Sequence, residues 1–161
     1  MKIRKTTLAD LREILEIYAY ARMRMKQNGN PFQWGDHKPS REIVLEDIRK
    51  GQSYIMEENG HICGVFAFII GNDPTYQVIE QGRWLNEAPY GTIHRIAGNG
   101  SVKGLFVQCL SYCMAQLPNI RIDTHQDNRT MRHLLEQNDF RQCGIIYVED
   151  GSSRIAFQKC P

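Results

Sequence analysis

The sequence predicts a single soluble α/β domain, and a few observations carry that expectation. Segments with apolar residues at helical spacing alternate with β-branched and aromatic segments of strand length. The dipeptide Asn59-Gly60 separates two of the latter, and a glycine-rich corner from Gly98 to Gly104 joins a strand to a helix. The 161 residues, 42% hydrophobic and 24% charged, suit one core, because domains of roughly 100–150 residues are commonest.

Taken in order, Thr7-Leu8-Ala9-Asp10 reads as a capping box, and Leu11, Ile14, Leu15, Tyr18, Ala21 and Met25 then recur at three- and four-residue spacing. Asn28-Gly29-Asn30-Pro31 ends that helix. Ser40 caps a second helix expected to bury Ile43, Val44 and Ile48 before Gly51 stops it. Tyr54 to Glu58 and Ile62 to Ile70 flank Asn59-Gly60, the pair that best tolerates the positive φ angles of a type I′ turn, so they form a hairpin. Residues 73–89 have no clean period and are expected to wander over the sheet. Thr92 to Ala97 reads as a strand, Val102 to Leu117 as a helix closed by Pro118, and Ile120 to Thr124 as a strand. Asp127 or Asn128 then caps a helix burying Met131, Leu134 and Leu135. Phe140 to Val148 finally pairs with Arg154 to Lys159 across Asp150-Gly151.

Charge and composition narrow the function. Lys and Arg number 20 against 18 Asp and Glu and are scattered, so no basic stripe suggests nucleic acid as a partner. No apolar run approaches the ~20 residues of a membrane span, and Met1-Lys2-Ile3-Arg4-Lys5 leads into mixed sequence, so a cytoplasmic protein without membrane association is expected. Five cysteines with no Cys-x-x-Cys pair argue against a disulfide framework or a zinc knuckle. Cys109 and Cys113 lie four apart, but on the apolar helix face, where core packing accounts for them; no metal is expected.

The corner at Gly98-Asn99-Gly100-Ser101 carries the chemistry. A strand turning into a helix aims free backbone N–H groups and the positive helix end at one point, and glycine lets phosphate oxygens approach closely. A Walker loop is excluded, because Lys103 precedes Gly104 and no Ser or Thr follows for magnesium. A dinucleotide loop fits better, with Gly98-x-Gly100 after a strand and Asp123 placed to hold a ribose hydroxyl, although Gly104 falls one position late for the third glycine.

His94-Arg95-Ile96-Ala97 and Asp123 to Phe140 carry a resemblance to the GNAT N-acetyltransferase superfamily, and the order of elements is similar over nearly the whole chain. The resemblance implies a mixed, mostly antiparallel central sheet flanked by helices. It places acetyl-CoA, as co-substrate, where the fourth and fifth strands splay apart. The backbone of Ile96, Ala97, Gly98, Asn99, Gly100, Ser101, Val102, Lys103, Gly104 and Leu105 would then hold the cofactor, with Asn128 matching a cofactor-contacting asparagine. The family's Q/R-x-x-G-x-G pattern lies on Arg95 to Gly100, or in a second register its final Lys-Gly pair lies on Lys103-Gly104. One position departs: where the family often carries an acidic tyrosine in its fourth helix, this chain has Leu135.

Acetyl transfer to a primary amine needs a base and an oxyanion donor. His94 is the leading base, because an ordinary histidine pKa of ~6.5 suits neutral pH; the Ile96–Ala97 main chain is the oxyanion candidate by resemblance. His125 and Glu80 are reserve catalytic candidates. Trp34, Tyr76 and Trp84 are candidate walls of an acceptor pocket, since large aromatics face cationic amines well. The acceptor is expected to be a small-molecule or peptide amine and the protein a monomer or homodimer. A CoA-binding sensor without catalysis is the alternative of a different class.

Overall fold

A computed structural model describes residues 1–161. Asn59 and Gly60 take φ angles of 53° and 79°, the left-handed pair that a type I′ turn requires. They fold β2 (Ser53–Glu58) back onto β3 (His61–Ile70), and the N-terminal β1 (Lys2–Lys5) adds to β2. Between β1 and β2 lie α1 (Leu11–Gln27) and α2 (Arg41–Arg49). The chain continues through β4 (Gly91–Gly98), α3 (Leu105–Gln116), β5 (Ile120–Thr124), α4 (Arg129–Gln137), β6 (Arg141–Tyr147) and β7 (Ser153–Lys159). The strands form one sheet in the order β1-β2-β3-β4-β5-β7-β6, parallel between β4 and β5 and antiparallel elsewhere. No helix is long and apolar enough to cross a membrane.

Strand alternation divides the core. On one face Tyr54, Phe66, Phe68, Ile93, Ile122 and Phe157 pack against Phe106, Cys109, Leu110 and Cys113 of α3 and Leu135 of α4. Ile55, Val65 and Ala97 point the other way, onto Ile14, Ile17, Tyr18 and Val44 of the first two helices. On that same side, but across the sheet, Tyr76, Trp84 and Tyr90 of the 73–90 segment cover Cys143, Ile146 and Ala156.

The feature that positions the site is the end of the β4–β5 ladder. Only Gly91↔Ile120 and Thr92↔Arg121 pair, and the strands then diverge. A β-bulge in the β3–β4 ladder lies just past the last β4–β5 pair. Val65 faces Ala97 and Ala67 faces His94, so Arg95 and Ile96 share the space opposite Phe66, and Arg95 sits at φ 52°. Such an angle strains a non-glycine residue, and side-chain bonds hold it. Arg95 Nε and Nη2 donate to Asp47 at 2.8 Å each, and the Tyr18 hydroxyl donates to the Arg95 carbonyl at 2.9 Å.

Several expectations are amended. The capping box serves a short 3-10 turn (Leu8–Asp10) that runs into α1, with Thr7 N–H donating to Asp10 Oδ2 at 2.8 Å. Ile43 is 45% exposed, and the buried polar position of α2 is Asp47. The third helix begins at Leu105, not Val102, because Gly104 stands outside it as a left-handed cap at φ 76°. Ser40 caps as expected, accepting from Ile43 N–H at 3.2 Å, and of the two candidates Asp127 and Asn128 it is Asn128 that caps the fourth helix, accepting from Met131 N–H at 3.0 Å.

Candidate active site

The corner between β4 and α3 is a loop over residues 99–104. Asn99 braces it from inside: its N–H donates to the Cys63 carbonyl, its Nδ2 to the Ile62 carbonyl, and its Oδ1 accepts from Ser101 N–H and hydroxyl. Asn99 and Ser101 therefore shape the loop and do not offer their amides to a ligand. The N–H groups of Gly100, Val102, Lys103, Gly104, Leu105, Phe106 and Val107 have no hydrogen-bond acceptor in the protein. All of these residues except Lys103 line a cavity of about 420 Å³ together with Tyr20, Arg24 and Leu134. Free amides at a helix start, with Arg24 beside them, select an anion. Glycine is required at Gly100, where φ is 81° and a Cβ would lie 2.7 Å from the Tyr20 hydroxyl.

A second hollow of about 220 Å³ shares Arg24 and Gly98 with the first and runs past Ile96 and Ala97 to the start of α4. Asn128 lines it, with Oδ1 committed to the cap and Nδ2 donating to Gln33 Oε1 at 3.0 Å. Asn30, which the sequence reading passed over, also lines it. That residue is 3% exposed, and its Oδ1 has no partner, leaving an acceptor for a donor on a ligand.

The strand splay gathers a polar constellation. His94 Nε2 lies 2.9 Å from Asp73 Oδ2, while Asp73 Oδ1 accepts from Thr75 N–H at 2.9 Å and Thr75 Oγ1 at 2.7 Å. Burial pushes the Asp73 carboxyl up, but the donors His94 and Thr75 outweigh it and hold it at about 2. Asp73 caps a 3-10 turn, Pro74–Tyr76, whose far end carries the Tyr76 hydroxyl to Asp123 Oδ2 at 2.6 Å. Burial, and then the Asp123 charge, raise Tyr76 well above an ordinary phenol. One short turn thus touches both diverging strands. Asp123, which a dinucleotide reading gives to a ribose, is engaged by Tyr76. The sequence signal for Asp73 was Asp-Pro, a capping residue ahead of proline at the first position of a turn.

Other candidates fall elsewhere. His125 Nδ1 accepts from Asp127 N–H at 3.0 Å and shapes the link from β5 to α4. Glu80 is exposed at the outer strand, bridging Ile145 through its backbone and bonding the Tyr147 hydroxyl at 3.0 Å, so the structure does not bring it to His94. Trp84 and Tyr76 are 9% and 2% exposed and belong to the core, which corrects their expected place as pocket walls. Trp84 Nε1 donates to the Tyr76 carbonyl, and the Arg121 guanidinium lies 4.2 Å from the Trp84 ring and 4.0 Å from Tyr90. Trp34 is half-buried, edge-on to Tyr18 at 5.7 Å. Leu135 is fully buried in the core, and the α4 residue that lines the cavity is Leu134.

No family model and no curated protein matches the sequence. Solved structures do. A GNAT-family acetyltransferase from Streptococcus agalactiae 2603 is 29% identical, with 99% of this chain and 95% of that chain covered and a TM-score of 0.88. A GNAT-family acetyltransferase from Listeria monocytogenes 4b F2365 is 20% identical over 98% of this chain and 93% of that one, with a TM-score of 0.72. A GNAT-superfamily phosphinothricin acetyltransferase from Sinorhizobium meliloti, solved in complex with AcCoA, shares the fold at 15% identity, 98% and 86% coverage and a TM-score of 0.60. With its parallel β4–β5 pair and the splay beyond it, the chain has the fold of the GNAT-family acetyltransferases.

Proposed function

We propose that the protein moves the acetyl group of acetyl-CoA to a primary amine by direct attack, with both substrates bound together. The observation that carries the reading is the set of unpartnered amides of Gly100 and of Val102 to Val107, all but that of Lys103 on residues lining one cavity, which adjoins the hollow that runs along β4 past Ile96. That set suits a diphosphate, and the hollow suits an extended arm leading toward the splay. There the amine nitrogen forms a bond to the thioester carbonyl carbon and the C–S bond breaks, the sulfur keeping the electron pair. The nitrogen's proton passes to His94, and the departing thiolate takes one from water; with a free-thiol pKa near ~8.5 it leaves without a dedicated acid. The main chain of Ile96 and Ala97 is our candidate for stabilising the oxyanion.

An acetyl-cysteine route is disfavoured. Cys109 and Cys113 are fully buried in the core, and burial raises the thiols of Cys63, Cys109 and Cys143, whereas a nucleophilic cysteine needs a lowered pKa. The test is thiol release from acetyl-CoA with a panel of small-molecule and peptide amines, with product masses read in parallel. Release with at least one amine is expected, and His94→Gln is expected to lower kcat/KM about 10²-fold or more while CoA affinity stays within a factor of two. Binding of CoA without turnover of any amine would favour the sensor. Binding of NADPH with no binding of any CoA species would remove the cofactor assignment.

A further inference from the structure

Resting on the acetyl-transfer reading, we propose that Asp73 is a positioning residue that fixes the tautomer of His94, so that Nδ1 is the atom that takes the proton from the acceptor amine. The geometry leaves little freedom. Asp73 Oδ1 is held by the Thr75 N–H and hydroxyl, Asp73 N–H donates to the Tyr90 hydroxyl at 2.7 Å, and the Asp73 carbonyl accepts from Tyr76 N–H at 3.0 Å. The carboxylate therefore cannot rotate, and Oδ2 stays 2.9 Å from His94 Nε2. An ionised carboxylate only accepts, and this one is ionised throughout the neutral range. Nε2 must then carry the hydrogen of the neutral ring. Nδ1 keeps the lone pair and has no hydrogen-bond partner in the protein. The two side chains are 21% and 18% exposed, so water competes only partly for the bond.

The same geometry dictates an unusual order of damage. In Asp73→Asn the carboxamide oxygen must stay on the Thr75 side, because the Thr75 N–H is an obligate donor. The amide nitrogen then faces His94 Nε2, and since it only donates, the ring proton is driven to Nδ1 and the base is lost. In Asp73→Ala the ring is free and both tautomers are populated. We expect kcat/KM to fall by about 10²–10³-fold in Asp73→Asn but only about 10-fold in Asp73→Ala, with CoA affinity unchanged in both. A role in holding the turn gives the opposite order, because Asn caps nearly as well as Asp and Ala does not.

The experiment combines those rates with ¹⁵N NMR of the His94 ring, recorded about two pH units above the ordinary histidine pKa of ~6.5. The expected spectrum has the proton on Nε2 in the unmodified protein and on Nδ1 in Asp73→Asn. An Nδ1-protonated ring in the unmodified protein, or an Asn variant at least as active as the Ala variant, overturns the proposal. If no amine is turned over, the acetyl-transfer reading fails, and the NMR result still decides whether Asp73 sets the tautomer.

Discussion

Asp47 shows how a side chain on another element can hold the strained residue of the bulge, Arg95. This aspartate is 4% exposed on α2, accepts both forks of Arg95, and accepts Gln52 Nε2 at 3.0 Å. Removing one partner of a buried pair leaves an uncompensated charge, which costs roughly 3–5 kcal/mol, whereas removing both costs far less. Arg95→Ala is therefore expected to lower the unfolding free energy by about 3 kcal/mol, and Asp47→Leu in that background to restore most of it; a double-mutant cycle in urea measures the coupling. Asp73 sets a pH dependence of defined sign. Its folded pKa of about 2 lies below the ordinary carboxylate value of ~3.9, so its contribution is present above about pH 4 and fades as pH falls toward 2. The gap in denaturation midpoint between the unmodified protein and Asp73→Ala should be full at pH 5 to 6, about one to two units above the unfolded value of ~3.9, and close toward pH 2. Neither partnership is written locally: Asp47 and Arg95 are 48 residues apart, and His94 and Asp73 are 21 apart.

Whole elements were far more legible, and the reason is that their signals are local. The Asn59-Gly60 turn and the Ser40 cap each rest on a few adjacent residues and stand as read, and Asn128 is the one of the two adjacent cap candidates, Asp127 and Asn128, that serves. The start of α3 was misplaced because Val102 and Lys103 suit a helix as well as the loop they occupy, and only the positive φ of Gly104 sets the boundary. The 73–90 segment was opaque for a different reason. Its order comes from distant strands: Asn86 accepts from Asn119 and Gln158, its carbonyl from Arg121, and Leu85 N–H donates to Gln158. The corner glycines give a test at this scale. Gly104→Ala meets open space, so its effect is the left-handed angle alone, about 1–2 kcal/mol of stability. Gly100→Ala bears the same angle and also drives a methyl against the Tyr20 hydroxyl. Calorimetric titration with CoA should show weakening in both and more in Gly100→Ala, and Tyr20→Phe in that background, by removing the hydroxyl, should recover part of it.

At the scale of the molecule, the problem the fold solves is holding two neighbouring strands apart without breaking the domain in two. On the α3–α4 face one apolar layer runs unbroken from β2 across the splay to β7. On the other face the packing is divided, with α1 and α2 over one half and the 73–90 segment over the other. The Asp73–Tyr76 turn bridges that divide, bonded to His94 on β4 and to Asp123 on β5. Tyr76→Phe isolates its contribution, because the ring still packs against Trp84 at 5.0 Å while the bond to the Asp123 carboxylate is lost. Hydrogen bonds to charged groups contribute about 1.5–3 kcal/mol, so stability should fall by that order in a single transition, the shared layer keeping the halves cooperative. Hydrogen exchange locates the effect: amides of residues 93–95 and 122–124 should exchange faster, and those of the β2–β3 hairpin should keep their rank. Uniform acceleration across the sheet, or none at the splay, would mean that the bulge at Arg95 alone sets the width of the cleft.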